Sequence, residues 1–328
     1  MDIGVVGIGS MGQNHVRVCS ELENINLIGV SDIDKNKVKS ISKKFNVQPF
    51  FDYKKLIKKV DAVIIATPTI THSKIAKDFL EHEKHVLIEK PLCNDVKKAK
   101  ELIKLSEKND LTLAVGHIER HNPAVAFVKN ALNKKRFGKL ITLTSKRVSN
   151  FPGRIRDVGV IFDFGIHDID VMRYLAGEVI SVYAIAGRFN KNIKFEDYAN
   201  IVLKFSNGLT GVLENNWLTP MKIRRLSLTC SENFVDVDYI KQSVLISSSS
   251  FKNIQKGNLY DIPIQYNLDQ VLLQKKEPLK NEISDFIQAI SKNRKPLADG
   301  YDGLKAIEIA QASLESYKKN KIVKIGGN

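Results

Sequence analysis

Only three cysteines occur in 328 residues, and Cys19, Cys93 and Cys230 have neither metal-ligand nor redox spacing. Their odd number fits reduced thiols, so a cytoplasmic chain is expected and no metal is called for. A run of about twenty uncharged apolar residues is also missing, which excludes a hydrophobic transmembrane helix. The chain opens on a strand pattern that already contains Asp2, so neither a signal peptide nor membrane association is expected. Internal repeats and low-complexity tracts are absent. Acidic side chains are in deficit, with 36 Asp and Glu against 51 Lys and Arg, giving a formal charge of +15. The lysines, however, are scattered through residues 35–44, 54–59, 97–108 and 318–324 at helix-surface spacing and are mixed with Asp and Glu. That pattern describes a solvated basic surface with some attraction for anionic small molecules, and no nucleic-acid partner is expected. A hydrophobic fraction of 43% is ordinary for a globular chain, and the length exceeds what one core usually serves, so two domains are anticipated.

What is present starts at the first residue. The apolar run of residues 3–6 feeds directly into Gly7-Ile8-Gly9-Ser10-Met11-Gly12. A buried strand, a glycine turn and a helix start are what a dinucleotide pyrophosphate needs: Gly7 permits the turn, Gly9 admits the phosphate to backbone N–H groups, and Gly12 lets helix and strand pack. A second apolar run, residues 27–30, ends near Asp32, twenty positions after Gly12. An acid there accepts hydrogen bonds from ribose hydroxyls and repels a 2′-phosphate, so NAD is favoured over NADP. The competing reading is a glycine turn that holds no nucleotide. Asp34 reads as a helix cap or a solvated charge.

Strands expected at residues 3–6, 27–31, 62–65, 85–88 and 113–115 alternate with helices over 12–22, 34–45, 71–81 and 95–109, the pattern of a doubly wound parallel sheet. Ligands of such sheets bind beyond the strands' carboxyl ends. Three of those ends carry suggestive residues. Thr67 and Pro68 are placed along the cofactor, with His72 either near the nicotinamide ribose or serving as a helix N-terminal hydrogen-bonding group. Glu89-Lys90-Pro91 follows an apolar strand, where a charged pair is costly without partners. The run Gly116-His117-Ile118-Glu119-Arg120-His121-Asn122-Pro123 is dense in donors and ends the parallel pattern. Beyond it, strands at 140–147, 180–186, 198–205, 209–217 and 225–230, with a hairpin at 235–238 and 243–246, imply a largely antiparallel sheet with one open face. Helices are expected at 160–175, 279–291 and 302–319, and a loop at 247–258. Residues 1–118 are assigned to the first domain and 119–328 to the second. Asp163 and His167 stand four apart on the helix expected at 160–175 and so share a face, while Asp168 and Asp170 point elsewhere. A lone helical histidine is more often a satisfied core residue.

Taken together, Gly7 to Gly12, Ala66-Thr67-Pro68 with His72, Glu89-Lys90-Pro91 and the Asp163-x-x-x-His167 spacing resemble the Gfo/Idh/MocA oxidoreductases over nearly the whole chain. The resemblance implies an α/β Rossmann domain followed by an α+β domain whose open sheet forms a homodimer or homotetramer interface. It implies an NAD-dependent dehydrogenase of sugar or polyol CH–OH groups. Gly7, Gly9, Ser10, Met11, Gly12, Asp32, Thr67, Pro68, His72, Glu89 and Lys90 would then contact the cofactor. Lys90, Asp163 and His167 would be catalytic and would converge on the substrate. Either Lys90 or His167 fits the role of proton acceptor. The 116–123 run, with Arg154 and Arg156, is similar to the branch acting on nucleotide-linked amino sugars such as UDP-N-acetylglucosamine, oxidised at C3. That likeness implies substrate contacts from His121, Asn122, Arg154 and Arg156, although the two arginines read equally as a solvated loop. A free-sugar or inositol dehydrogenase, and a catalytically silent NAD-binding scaffold or sensor, are the alternatives.

Overall fold

Apolar segments separated by amphipathic ones set the architecture of the first hundred or so residues. In a computed structural model, which describes residues 1–153, 158–251 and 264–326, they form β1 (Asp2–Val6), α1 (Ser10–Glu21), β2 (Asn26–Ser31), α2 (Lys35–Phe45), β3 (Gln48–Phe50), α3 (Lys54–Ile57), β4 (Ala62–Ile65), α4 (Thr69–Leu80), β5 (His85–Glu89), α5 (Val96–Lys108) and β6 (Leu113–Gly116). The sheet is parallel throughout, in the order β3-β2-β1-β4-β5-β6. All four residues of β4 and of β6 are buried, because helices cover both faces of such a sheet and leave no side for polar alternation. Helix starts follow local chemistry. The Asp34 carboxylate caps α2 by accepting from the N–H groups of Asn36 and Lys37, and Asp95 caps α5 through Lys98 N–H. The elements β3 and α3 lie outside the sequence expectation; strand and helix are each under five residues, too short to show a period.

The second half contains α6 (Pro123–Asn133), β7 (Leu140–Asn150), a π-helical turn at Ile161–Gly165, α7 (Ile166–Ala176), β8 (Val179–Gly187), β9 (Tyr198–Phe205), β10 (Thr210–Asn216), β11 (Leu218–Cys230), β12 (Phe234–Asp238), β13 (Ser243–Phe251), β14 (Ile264–Val271), α8 (Pro278–Ser291), α9 (Gly300–Lys319) and β15 (Val323–Lys324). Nine strands make one sheet, ordered β14-β13-β12-β11-β7-β10-β9-β8-β15, antiparallel except where β7 meets β10. Along β9 exposed and buried residues alternate strictly, so one face packs on α7 and its neighbours while the other stays open. The loop expected at 247–258 is corrected: residues 247–251 continue β13, paired with β14, and 252–258 lie outside the described residues. A serine run read as polar loop is here a strand made by its partner. The single helix expected at 160–175 is likewise corrected to a π turn followed by α7.

Two compact units result, residues 1–121 with 277–308 and residues 122–276 with 309–328. A single cut after residue 118 therefore does not describe the division. Helix α8 belongs to the first unit because Leu279, Ile283, Phe286 and Ile287 complete the core formed by Ile3, Val5, Val16 and Leu87. The second unit has its own core, which includes Phe137, Ile169, Met172, Ile201, Leu213 and Leu228. No helix among the described residues is long and apolar enough to cross a membrane.

Candidate active site

In the first unit the chain reverses its order of strand addition between β1 and β4, and there the glycine turn sits. Gly7 has φ 87°, and a Cβ on it would stand 2.6 Å from the carbonyl oxygen of Ala66 at the end of β4. A Cβ on Gly12 would approach Gly7 O to 1.9 Å, so α1 can start this close to the turn only with glycine. Gly9 differs: a Cβ there meets nothing within 4 Å. Gly9 is also the N-cap of α1, which has no side-chain cap and no acid in its first turn. Open room beside an uncapped helix N-terminus is the cradle a pyrophosphate requires. Asp32 directly follows β2, with Oδ2 accepting from Ile8 N–H at 2.8 Å and Oδ1 accepting from Asp34 N–H at 3.0 Å, which fixes the carboxylate against the turn. Ser10 is exposed and Met11 half-buried at the head of α1, while Thr67 is half-buried and Pro68 exposed at the head of α4. These residues fit a dinucleotide.

His72 does not join them. Its ring is 1% exposed, with Nδ1 2.9 Å from Pro91 O and Nε2 2.8 Å from Thr67 O. Burial lowers its pKa while the carbonyls oppose that shift, and the ring ties the ends of β4 and β5 together. Of its two readings, this geometry is the hydrogen-bonding one. Glu89 likewise faces the interior: its Oε1 lies 2.7 Å from His15 Nε2 on α1, its Oε2 accepts from Lys90 N–H at 3.2 Å, and its side chain is 13% exposed. Burial works to raise its pKa, but the hydrogen bond and charge of His15, aided by Lys90, hold it below the usual carboxylate range. Lys90 itself is half-buried at the strand's carboxyl end, joined to Pro91 by a cis peptide. Sequence reading passed over His15, whose one signal is its place three residues after Gly12 on the buried face of α1, beside Val16.

In the polar run after β6, several groups hold the fold. Arg120, 3% exposed, donates to Leu297 O at 2.8 Å and pairs with Asp302 at 2.9 Å. The carbonyl of His121, whose side chain is buried, accepts from the Asn281 amide. In the second unit Asn122 caps α6 through Ala124 N–H and donates to Tyr239 O at 3.0 Å. Both ends of its amide thus hold structure. Arg154 and Arg156 lie outside the described residues.

Asp163 is buried within the π turn, and His167 is half-buried at the second position of α7. A π turn shifts the helical phase locally and is frequent at functional sites. Its entry is set by Glu196, whose backbone and carboxylate accept from Val160 N–H and Ile161 N–H at 3.0 and 3.2 Å. Burial raises the Glu196 pKa. A Cβ on Gly159 would stand 2.0 Å from that carboxylate, so any larger residue there would push the Glu196 side chain off Ile161 N–H. Beneath α7, Asp168 accepts from Arg147 Nε at 3.0 Å and from Asn215 Nδ2 at 2.9 Å, all three nearly water-free. Arg147 and Asn215 are register partners on β7 and β10, so one carboxylate fastens the histidine-bearing helix to both strands. Phe151 and Phe164 pack edge-on against Trp217 alongside.

A parallel sheet with a glycine cradle at its switch point and an acid closing the second strand defines an NAD-binding oxidoreductase domain. Residues 1–117 match the model of an oxidoreductase family with an NAD-binding Rossmann fold, and residues 125–235 match the GFO/IDH/MocA C-terminal domain. The UDP-N-acetylglucosamine 3-dehydrogenase of Acidithiobacillus ferrooxidans is 30% identical over 313 residues, covering 94% of this chain and 95% of that protein. A solved structure of that enzyme superposes with a TM-score of 0.87 at 28% identity, over 97% of this chain and 98% of the other. The myo-inositol 2-dehydrogenase of Thermotoga maritima is 25% identical, over 99% of this chain and 98% of its own. The chain belongs to the Gfo/Idh/MocA family, and it is an NAD-dependent dehydrogenase acting on sugar or polyol hydroxyl groups.

Proposed function

We propose that the substrate is a nucleotide-linked amino sugar and that the reaction oxidises C3 of UDP-N-acetylglucosamine. The observation that carries this reading is the 30% identity to the Acidithiobacillus enzyme along 94% of the chain. NAD, when bound, accepts the hydride from the carbon being oxidised. The chain's own residues manage the remaining charge. His167 takes the hydroxyl proton as general base, Lys90 stabilises the negative charge growing on that oxygen, and Asp163 holds a neighbouring hydroxyl. Gly9 and the first turn of α1 hold the pyrophosphate and Asp32 the ribose. Ile33, 97% exposed beside Asp32, offers an apolar face for the adenine. Arg154 and Arg156 are assigned to the substrate diphosphate on sequence alone, since paired guanidinium groups bind such anions bidentately. The open sheet face is proposed to bury itself against a second copy.

A panel of nucleotide sugars, free sugars and inositols, followed by NADH absorbance, tests the reading. NADH from UDP-N-acetylglucosamine supports it. Turnover of inositol with none from the nucleotide sugar overturns it in favour of the chemistry named for the Thermotoga relative. Lys90→Met is expected to lower kcat by a factor of about a thousand, roughly 4 kcal/mol of barrier, with a much smaller effect on KM. A loss under about tenfold removes Lys90 from the chemistry.

A further inference from the structure

Behind Lys90 the first unit buries a second carboxyl group. Glu282 on α8 is 2% exposed, and neither of its oxygens has a hydrogen-bond partner. It clusters with His15 and Glu89, with a ligand atom from each of the three residues within 4.8 Å of the others. Two carboxylates this close in a dry site cannot both ionise. Glu89 has the partners that stabilise a negative charge, namely His15 and the Lys90 N–H, and Glu282 has none. Glu282 is therefore the protonated member. A cation is a poorer occupant than a proton, because His15 Nε2 and Glu89 Oε1 stand 2.7 Å apart, hydrogen-bond distance. Ligands around one zinc ion sit about 3.3 Å apart, given metal–ligand bonds of about 2 Å.

We propose that Glu282 is a positioning residue for Lys90: a neutral carboxylic acid that donates its proton toward Glu89 and, opposite His15, locks the carboxylate on which the Lys90 backbone rests. The inference rests on the proposed role of Lys90 in the chemistry. Burial raises the Glu282 pKa well above the usual range, and the charges of Glu89 and Asp285 raise it further. The titratable groups on the elements packed against α8 are His15 and Arg17 on α1 and Glu119, Arg120 and His121 in the turn after β6, with Asp285 on α8 itself and Glu89 at the end of β5 followed by Lys90. Arg17 is occupied with Glu21 and Glu277, and Arg120 with Asp302. On α1 the nearby cation is His15, and its ring nitrogen is already paired with Glu89, so the charge it can carry is spent on that carboxylate.

The sign of the pH effect follows. The folded state keeps a proton that the unfolded chain releases above about pH 4.5, so this group's contribution to stability is full below that pH and is lost as pH rises toward the folded-state value. Glu282→Gln keeps a neutral donor and cannot ionise, so Lys90 keeps its support. Glu282→Leu removes the donor.

The infrared spectrum of the cofactor-free protein at pH 7 should contain the carbonyl stretch of a protonated carboxylic acid that Glu282→Gln lacks. Thermal stability of the natural chain should fall more steeply from pH 5 to pH 8 than that of Glu282→Gln. With NAD and the panel substrate, Glu282→Leu should lose about tenfold in kcat at unchanged NAD affinity, Glu282→Gln should stay within about threefold, and the alkaline limb of the kcat profile should be missing from Glu282→Gln. An infrared spectrum without that band, or wild-type kcat in Glu282→Leu, overturns the proposal. Should Glu282→Leu fail to fold, the Gln variant's infrared and pH arms still decide. Should Lys90→Met keep activity while the acid band is present, the reading of Lys90 fails and the positioning role falls with it, whereas the protonated Glu282 stands.

Discussion

Three glycines in one turn answer to three different constraints, and substitution separates them. Alanine at Gly12 forces a Cβ to within 1.9 Å of Gly7 O, a backbone atom that cannot yield. Gly12→Ala should therefore lose about 3 kcal/mol of folding stability, the upper end of the usual overpacking cost. Alanine at Gly9 meets nothing and should leave the melting temperature within a few degrees, yet on the proposed cradle role it would occupy the pyrophosphate's space and should weaken NAD binding by tenfold or more. Melting curves with NAD titration distinguish the two, and equal effects of both variants on stability would contradict the geometry. On the proposed ribose-side role of Asp32, Asp32→Ser removes a charge that would repel a 2′-phosphate, so the NAD to NADP preference should shift by at least tenfold toward NADP, measured as a ratio of kcat/KM values. The backbone constraints at Gly7 and Gly12 were legible in the sequence, because a tight turn running straight into a helix demands glycine at both places. The roles of His15, His72 and Asn122 were not, because each depends on a partner supplied by tertiary packing: His15 meets Glu89 across 74 positions, and Asn122 meets Tyr239 across 117.

At the level of elements, apolar periodicity placed β1, β4, β5 and β9 almost to the residue, since full burial and strict alternation are the clearest patterns a strand can show. It failed where the environment, not the pattern, makes the element: β13 is extended by pairing with β14, and the π turn exists because Glu196 holds its entry. The helix that carries His167 is a further case. Its four-residue spacing from Asp163 was readable, but the clamp that seats it was not, because Asp168 draws on Arg147 and Asn215 from two other strands. Asp168→Ala leaves a 1% exposed guanidinium without its carboxylate, which for buried pairs costs about 3–5 kcal/mol. Replacing the pair together, Arg147→Met with Asp168→Leu, should recover most of that loss, because no lone charge stays buried. Urea denaturation of the three proteins measures the difference, and a single variant as stable as the natural chain would show that the clamp contributes little.

For the molecule as a whole, the division of labour between a cofactor unit and an open-faced sheet unit was legible. The return of α8 to the first unit was not, since an amphipathic helix carries no mark of the core it joins. The open face poses the remaining question of assembly. In cross-strand register, Tyr183, Val202, Val212 and Thr144 form one lane across β8, β9, β10 and β7. Val202 and Val212 are 43% and 38% exposed, and beside them Ile141, Ile185 and Tyr198 add to an apolar fraction high for a surface that meets only water. The Lys146–Glu214 pair at 3.0 Å, both half-exposed, adds polar contacts of the kind found in interface rims. A two-fold pairing of such a face apposes the same residues from both copies, so one substitution acts twice. Val212→Glu should cost the single chain no more than about 1 kcal/mol, because its side chain already meets solvent. In a buried self-interface the same change sets two unpaired carboxylates against apolar surface, at several kcal/mol each. Light scattering should give a multiple of the chain mass for the natural protein and the single-chain mass for Val212→Glu, with the melting curve of the variant still cooperative. A variant that retains the natural protein's mass would move the interface elsewhere and leave the open face to water.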